Sequence, residues 1–239
     1  MNKLEELYDG FEEKTLSNIW DQTKIEPGAV EIQSDIVRKG KSAIKITIHK
    51  GDRIQPGYGI VKTSERDELV ERKELGPKEG KSYSYSFSLY IPKDFPIVPT
   101  RLVLAQWKQS DENNTALVIN PLLALRYQNG ELYITLQTTE KSIRLFQTKE
   151  EIRGQWIDYV FHMKFTRIES GFVKVWMNGK EIINYTGITA YSEKYNYLKL
   201  GYFYFKMGLY RDQMDEPMTI YLDEYRKNQL SVGQTKVRV

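Results

Sequence analysis

Three short stretches carry side chains able to act together on a charged substrate. In "TSERDELVER", Arg66, Glu68 and Val70 alternate with Glu65, Asp67 and Leu69. In "VLAQWK", Gln106 and Lys108 alternate with Val103, Ala105 and Trp107. In "GYFYFKMGLYRDQ", residues 201–213, the side chains of Tyr202, Tyr204, Lys206 and Tyr210 alternate with Phe203, Phe205, Met207 and Leu209. A β-strand sends successive side chains to opposite faces, so one face of this last stretch belongs to a core. Its other face keeps three tyrosines and a lysine. If the three strands are neighbours in one sheet, Arg66, Glu68, Gln106, Lys108, Tyr202, Tyr204, Lys206 and Tyr210 line one groove. Such a groove is cationic, aromatic and rich in hydrogen-bond donors, a chemistry that suits an acidic polysaccharide.

The elements that must position these residues are strands. Alternating apolar and polar runs occur at 42–50, 82–91, 101–109, 131–139, 156–165, 172–185, 197–210 and 218–226. Turn signals separate them, the strongest being Asn178-Gly179 between two apolar runs. Helical periodicity is confined to 145–153, where one or two turns are expected. Many strands, few helices and no fixed repeat predict an all-β fold: a concanavalin-like jelly-roll sandwich of two antiparallel sheets, one domain over 1–239. Trp107, Trp156 and Trp176 sit in apolar phase and are assigned to the core. Trp20 is expected to pack the N-terminal segment, and 231–239 to form a loose tail or an added strand.

Composition narrows the function classes. The 35 basic residues barely outnumber the 32 acidic ones, and a net charge of +3 gives no sign of a nucleic-acid partner. No run approaches the ~18 apolar residues of a membrane span, so no membrane partner is expected. The absence of cysteine removes disulfides and thiol chemistry. The first residues lack the apolar core of a signal peptide. Localisation is therefore expected to be secreted or periplasmic with a leader removed, with the cytoplasm as the alternative. The two histidines, His49 and His162, are read as structural. Glu65 and Asp67 share a face and are the pair a glycosidase would need, but that face is opposite Arg66.

The three stretches, in their order along the chain, resemble the signatures of jelly-roll polysaccharide lyases. "RDEL" (66–69), "AQWK" (105–108) and "YFKMGLY" (204–210) are similar to alginate lyase motifs. "SYSYSFSLYIPKDFP" followed by "LAQWK", with "DGFEE", "GKSAIKI", "VWMNGKEI" and "YLDEYR", looks like the heparin lyase I and glucuronan lyase branch. The resemblance implies β-elimination on a uronate polymer. Tyr210, Gln106, Lys108 and Arg66 would then be catalytic. Arg66 and Gln106 would neutralise the uronate carboxylate, Tyr210 would move the proton, and Glu68, Lys206, Tyr204 and Tyr202 would bind substrate, with Glu68 orienting Arg66. The family carries His where this chain has Lys108. Lys108 is thus either a base with a depressed pKa or a group that neutralises substrate charge. No cofactor is implied for the chemistry. A structural Ca²⁺ held by Glu12, Gly40 and Asp223 is implied by the same resemblance. A binding protein without turnover and a glycoside hydrolase remain as the other readings.

Overall fold

The computed structural model describes residues 6–22, 25–53, 63–111, 120–192 and 200–231. Among these, the chain forms two antiparallel sheets. One consists of β4 (Ser64–Val70), β13 (Leu200–Asp212), β6 (Leu102–Asp111), β7 (Leu123–Gln128), β8 (Glu131–Gln137) and β9 (Ser142–Thr148), in that order. The other runs β12 (Lys180–Gly187), β11 (Gly171–Met177), β10 (Trp156–Lys164), β5 (Ser82–Tyr90), β14 (Met218–Gln229), β3 (Ala43–Ile48) and β2 (Val30–Gln33), with β1 (Leu7–Asp9) pairing with β14. This is the expected jelly-roll sandwich. Among the described residues no helix is long and apolar enough to cross a membrane.

Alternation builds the core. Phe203, Phe205, Met207 and Leu209 of β13 are all buried, as are Tyr83, Tyr85, Phe87 and Leu89 of β5. The two sheets meet at aromatic rings: Phe205 lies 5.2 Å from Tyr85 and 5.8 Å from Tyr225 across the interface, and 4.7 Å from Trp107 beside it. Each such side chain contributes ~1.5–3 kcal/mol by leaving water. Asn178 and Gly179 both have positive φ (50° and 76°), as do Asn129 and Gly130 (52° and 76°). That is the turn whose twist matches the flanking strands.

Several expectations need correction. Residues 142–148 form edge strand β9, not a helical turn. Leu145 and Phe146 pack partly against the core there. Strand β7 showed no alternation because Leu123, Ala124 and Leu125 are all fully buried. Trp107 is in the core and Trp20 packs the N-terminal segment, donating its indole N–H to Asp9. Trp156 and Trp176, however, lie half-buried on the outer face of the larger sheet, beside Tyr90 and His162 respectively. The tail falls largely outside the described residues.

Two local features set the geometry of the smaller sheet. Strand β6 shifts register between Val103 and Ala105 against β7, and β13 shifts between Met207 and Tyr210 against β6. Leu102, Leu104, Ala105 and Trp107 all enter the core, while Val103 stands opposite Tyr210 on the outer face. The assignment of Val103 to the core face therefore fails, because a bulge interrupts the alternation. Gly208, at φ +140°, allows the close approach of β4: a Cβ there would strike the Asp67 carbonyl and lie 2.8 Å from Glu68 Cα.

The inner face of β4 is unusual for a sandwich, since it carries Glu65, Asp67, Leu69 and then Glu71. Glu65 Oε2 accepts from Arg211 Nε at 2.9 Å, both side chains being fully buried. Glu71 accepts from Lys227 Nζ at 2.8 Å and from the Tyr225 hydroxyl at 2.9 Å, joining the two sheets through the core. Burial pushes the Asp67 carboxyl up to about 8, helped by neighbouring Asp52.

Candidate active site

Cross-strand register brings the three motifs together. Tyr210 stands opposite Arg66, Gly208 opposite Glu68, and Lys206 opposite Val70 on one side of β13. On its other side Lys206 faces Gln106 and Tyr204 faces Lys108. Every one of these side chains except Gly208 is on the outer face, since its neighbours in sequence fill the core. Arg66, Gln106, Lys206 and Tyr210 therefore converge as expected.

The contacts divide the site into two parts. In the first, Gln106 Nε2 donates to Glu68 Oε1, and Lys206 Nζ lies 3.6 Å from Glu68 Oε2. All three are nearly or fully buried. Glu68 thus holds Gln106 and Lys206 and does not take the expected role of orienting Arg66. In the second part, the Arg66 guanidinium lies 4.6 Å from the Tyr210 ring centroid, and its buried Nε has no hydrogen-bond partner. Lys108 and Tyr204 flank the first part. The Tyr204 and Tyr202 rings lie 5.5 Å apart, tilted at 43°, and Lys73 Nζ lies over the Tyr202 ring at 4.4 Å.

Electrostatics follow from this crowding of cations. Burial, then Lys206 and Arg66, bring Lys108 down to about 8, with Glu68 opposing. Burial also lowers Lys206, against the pull of Glu68. Burial raises the Tyr210 hydroxyl, but a hydrogen bond from Ser64 and the charges of Arg101 and Arg66 outweigh it, leaving Tyr210 below the ordinary tyrosine value. Burial lifts Tyr204 well above that value.

The sequence reading missed three cations on this face. Arg101 lies 4.5 Å over the Tyr210 ring. Arg126 stands opposite Val103, with its Nε donating to the Thr135 hydroxyl at 3.1 Å. Arg144 lies over Tyr133 at 4.2 Å. Arg101 was out of phase because of the bulge, and Arg126 and Arg144 fell in strands not recognised as such. The histidines are elsewhere: His162 packs on Trp176 in the other sheet, and His49 is exposed beside Asp52. Glu65 and Asp67 point inward, so they offer no pair of carboxylates to a sugar.

The calcium candidates gather around residues 38–42, but in another arrangement. Both oxygens of Glu12 accept from the Lys41 amide at 3.0 Å. Asp223 Oδ2 accepts from the amides of Arg38 and Lys39, and its Oδ1 from that of Glu224. Gly40, at φ +78°, leaves room for Glu12, whose carboxylate a Cβ would strike. Burial raises Asp223 to about 6, against these amides. Carboxylates satisfied by backbone N–H groups do not form the oxygen cage that Ca²⁺ needs. Among the described residues no three acids or histidines gather as metal ligands.

Known proteins agree with this architecture. No curated protein matches the chain in sequence. Among solved structures, an endo-β-1,4-glucuronan lyase from the fungus Trichoderma reesei matches at TM-score 0.71 and 20% identity, over 94% of this chain and 95% of its own. A family 7 alginate lyase matches at TM-score 0.57 and 14% identity, covering 87% and 86%. An alginate lyase from Pseudomonas aeruginosa matches at 0.53 and 17%, covering 87% and 89%. At these identities the likeness is one of fold. The family model described as polysaccharide lyase matches residues 11–226; it takes in both sheets and all three site strands, and the chain belongs to the polysaccharide lyase family.

Proposed function

We propose that the outer face of the smaller sheet cleaves a uronic-acid polysaccharide by β-elimination. One observation carries the reading: Arg66, Lys108 and Lys206 converge with Gln106 and Tyr210 on one face, with Glu68 the acid among them. The C5 proton of a uronate is weakly acidic while its carboxylate is charged. The Arg66 guanidinium, beside Tyr210, and the Gln106 amide offset that charge and stabilise the enolate-like intermediate. The Tyr210 phenolate takes the C5 proton, the C4=C5 double bond forms, and the C4–O bond breaks. The same proton then passes to the leaving oxygen. One residue can serve both steps where the C5–H and C4–O bonds lie on the same side, as in 4-linked β-glucuronate. Lys206, Tyr204 and Tyr202 bind the chain alongside. A glycoside hydrolase would need two acids facing the sugar, and Glu65 and Asp67 face the core.

The test is incubation with glucuronan, alginate and heparin while following absorbance near ~230 nm, where the conjugated product of elimination absorbs. Glucuronan heads the panel because the fungal glucuronan lyase covers more of both chains than the alginate lyases do. Growth of absorbance, weakened by salt as exposed ion contacts are, is the expected result. New reducing ends without absorbance would make the protein a hydrolase. Retention on a glycan with neither would make it a binding protein.

Lys108 has its own signature. It carries charge below about 8 and loses it as pH rises through that value. If its charge holds the substrate, KM should climb across that range. Lys108→Arg should abolish the climb and keep most of kcat, because a guanidinium stays protonated. A base would behave the opposite way: kcat would rise with pH through about 8, and Lys108→Arg would be inactive.

A further inference from the structure

We propose that Arg101 is a positioning residue for Tyr210, clamped by Asp212, and that this pair holds the phenol oxygen in its proton-accepting state at the reacting carbon. The inference rests on the lyase reading but uses residues outside all three motifs. Asp212 follows Tyr210 by two positions in β13, so both side chains point to the same face. Asp212 Oδ1 accepts from Arg101 Nε at 3.0 Å and from Nη2 at 2.8 Å. The Asp212 amide donates to the Arg101 carbonyl at 3.1 Å. Held at backbone and side chain, the Arg101 guanidinium lies 4.5 Å from the Tyr210 ring centroid.

The surroundings of that hydroxyl are cationic. From β4 come Arg66 and the Ser64 hydroxyl, from β13 Lys206, from β7 Arg126, and from the start of β6 Arg101. The acid packed here, Asp212, is ion-paired to Arg101. A guanidinium at this distance stabilises a phenolate over a phenol, and the effect survives because the site is partly desolvated. In the reaction the C5 proton goes to the phenolate. Arg101 keeps its own protons throughout, its pKa being far too high to yield one. Arg101 therefore acts through Tyr210 rather than on the sugar. A purely structural ion pair at a strand end would leave the titration of Tyr210 unchanged.

The experiment is a spectrophotometric titration of the free protein. Phenolate absorbance is recorded against pH for the protein and for its Tyr210→Phe variant, and the difference isolates Tyr210 among the 17 tyrosines. In Arg101→Met the Tyr210 transition should move up by about one unit or more. Arg101→Gln, which keeps a hydrogen-bond donor without the charge, provides the same reading if the Met variant folds poorly. On a cleaved polymer, kcat of either variant should fall most at neutral pH and recover at alkaline pH, with KM little changed. A Tyr210 transition that stays in place, or a kcat loss equal at every pH, would overturn the proposal. The titration needs no substrate, so a protein that cleaves no polysaccharide would sink the lyase reading while leaving the Arg101 result intact.

Discussion

Tyr210→Phe is expected to lower kcat by ~10²–10⁴-fold, the range contributed by a general acid–base group, with little change in folding. The ring keeps its place between β4 and the start of β6, with the Arg66 and Arg101 guanidiniums stacked on it. Only the hydroxyl goes, from beside Ser64 and Arg101. A hydrogen bond lost with it is worth ~0.5–1.5 kcal/mol of stability, well short of unfolding the domain. Because Arg66, Gln106 and Lys206 remain, the variant should still bind the acidic chain with nearly unchanged affinity. Initial rates by product absorbance, alongside a binding titration on the uncleaved polymer, separate the two effects. Unchanged turnover in Tyr210→Phe would remove Tyr210 from the chemistry, whatever the merits of the fold.

The largest expected loss of stability lies in the core. Lys227→Met should destabilise the protein by ~3–5 kcal/mol, the usual cost of leaving one partner of a buried pair alone. Glu71 is almost completely buried and Lys227 nearly so. Lys227 Nζ also donates to the Leu75 carbonyl and lies 5.0 Å over the Tyr85 ring. Burial is the main force lifting the Glu71 carboxyl, and Lys227 is the main force opposing it. Without Lys227, Glu71 must either take up a proton or remain an unpaired buried charge. In a domain of this size the loss corresponds to a Tm lower by roughly 6–20 °C. The double change Glu71→Leu with Lys227→Met should recover most of it, since a well-packed apolar replacement of a buried pair is often neutral or better. Thermal melts of the single and double variants check this. A single variant melting with the parent would mean that the pair contributes nothing to the join between the sheets.

Period-two patterning made much of the architecture legible, because most strands bury one face only. The site was legible for the same reason. Phe203, Phe205, Met207 and Leu209 fix the phase of β13, and that phase puts Lys206 and Tyr210 outside. Patterning failed where both faces are covered, as in β7, and at the edge, where the charged run after Phe146 imitates a helix. It failed at Trp156 and Trp176 because a large aromatic side chain on the outer face can still be half-buried by its cross-strand neighbours. The pairing of Glu71 with Lys227 was invisible, since nothing in either local sequence identifies a partner 156 positions away. Glu68 was placed on the correct face but assigned the wrong partner. Two residues apart on β4, it and Arg66 face different rungs of β13, Gly208 and Tyr210.

The bulge in β6 gives that strand two reading frames. Before Leu104 the odd-numbered residues face outward, Arg101 and Val103 among them; after Ala105 the even-numbered ones do, Gln106 and Lys108 among them. Arg101 and Gln106 are five residues apart, an odd interval, and share a face only because the frame changes between them. Regular pairing of the same residues, with no bulge, would merge the frames without altering the character of any side chain. It would bring Leu102 and Leu104 to the outer face in place of Arg101 and Val103, and would turn the Arg101 guanidinium away from Tyr210. At this point in the chain, the pairing of residues is as much a determinant of the chemistry as their identity.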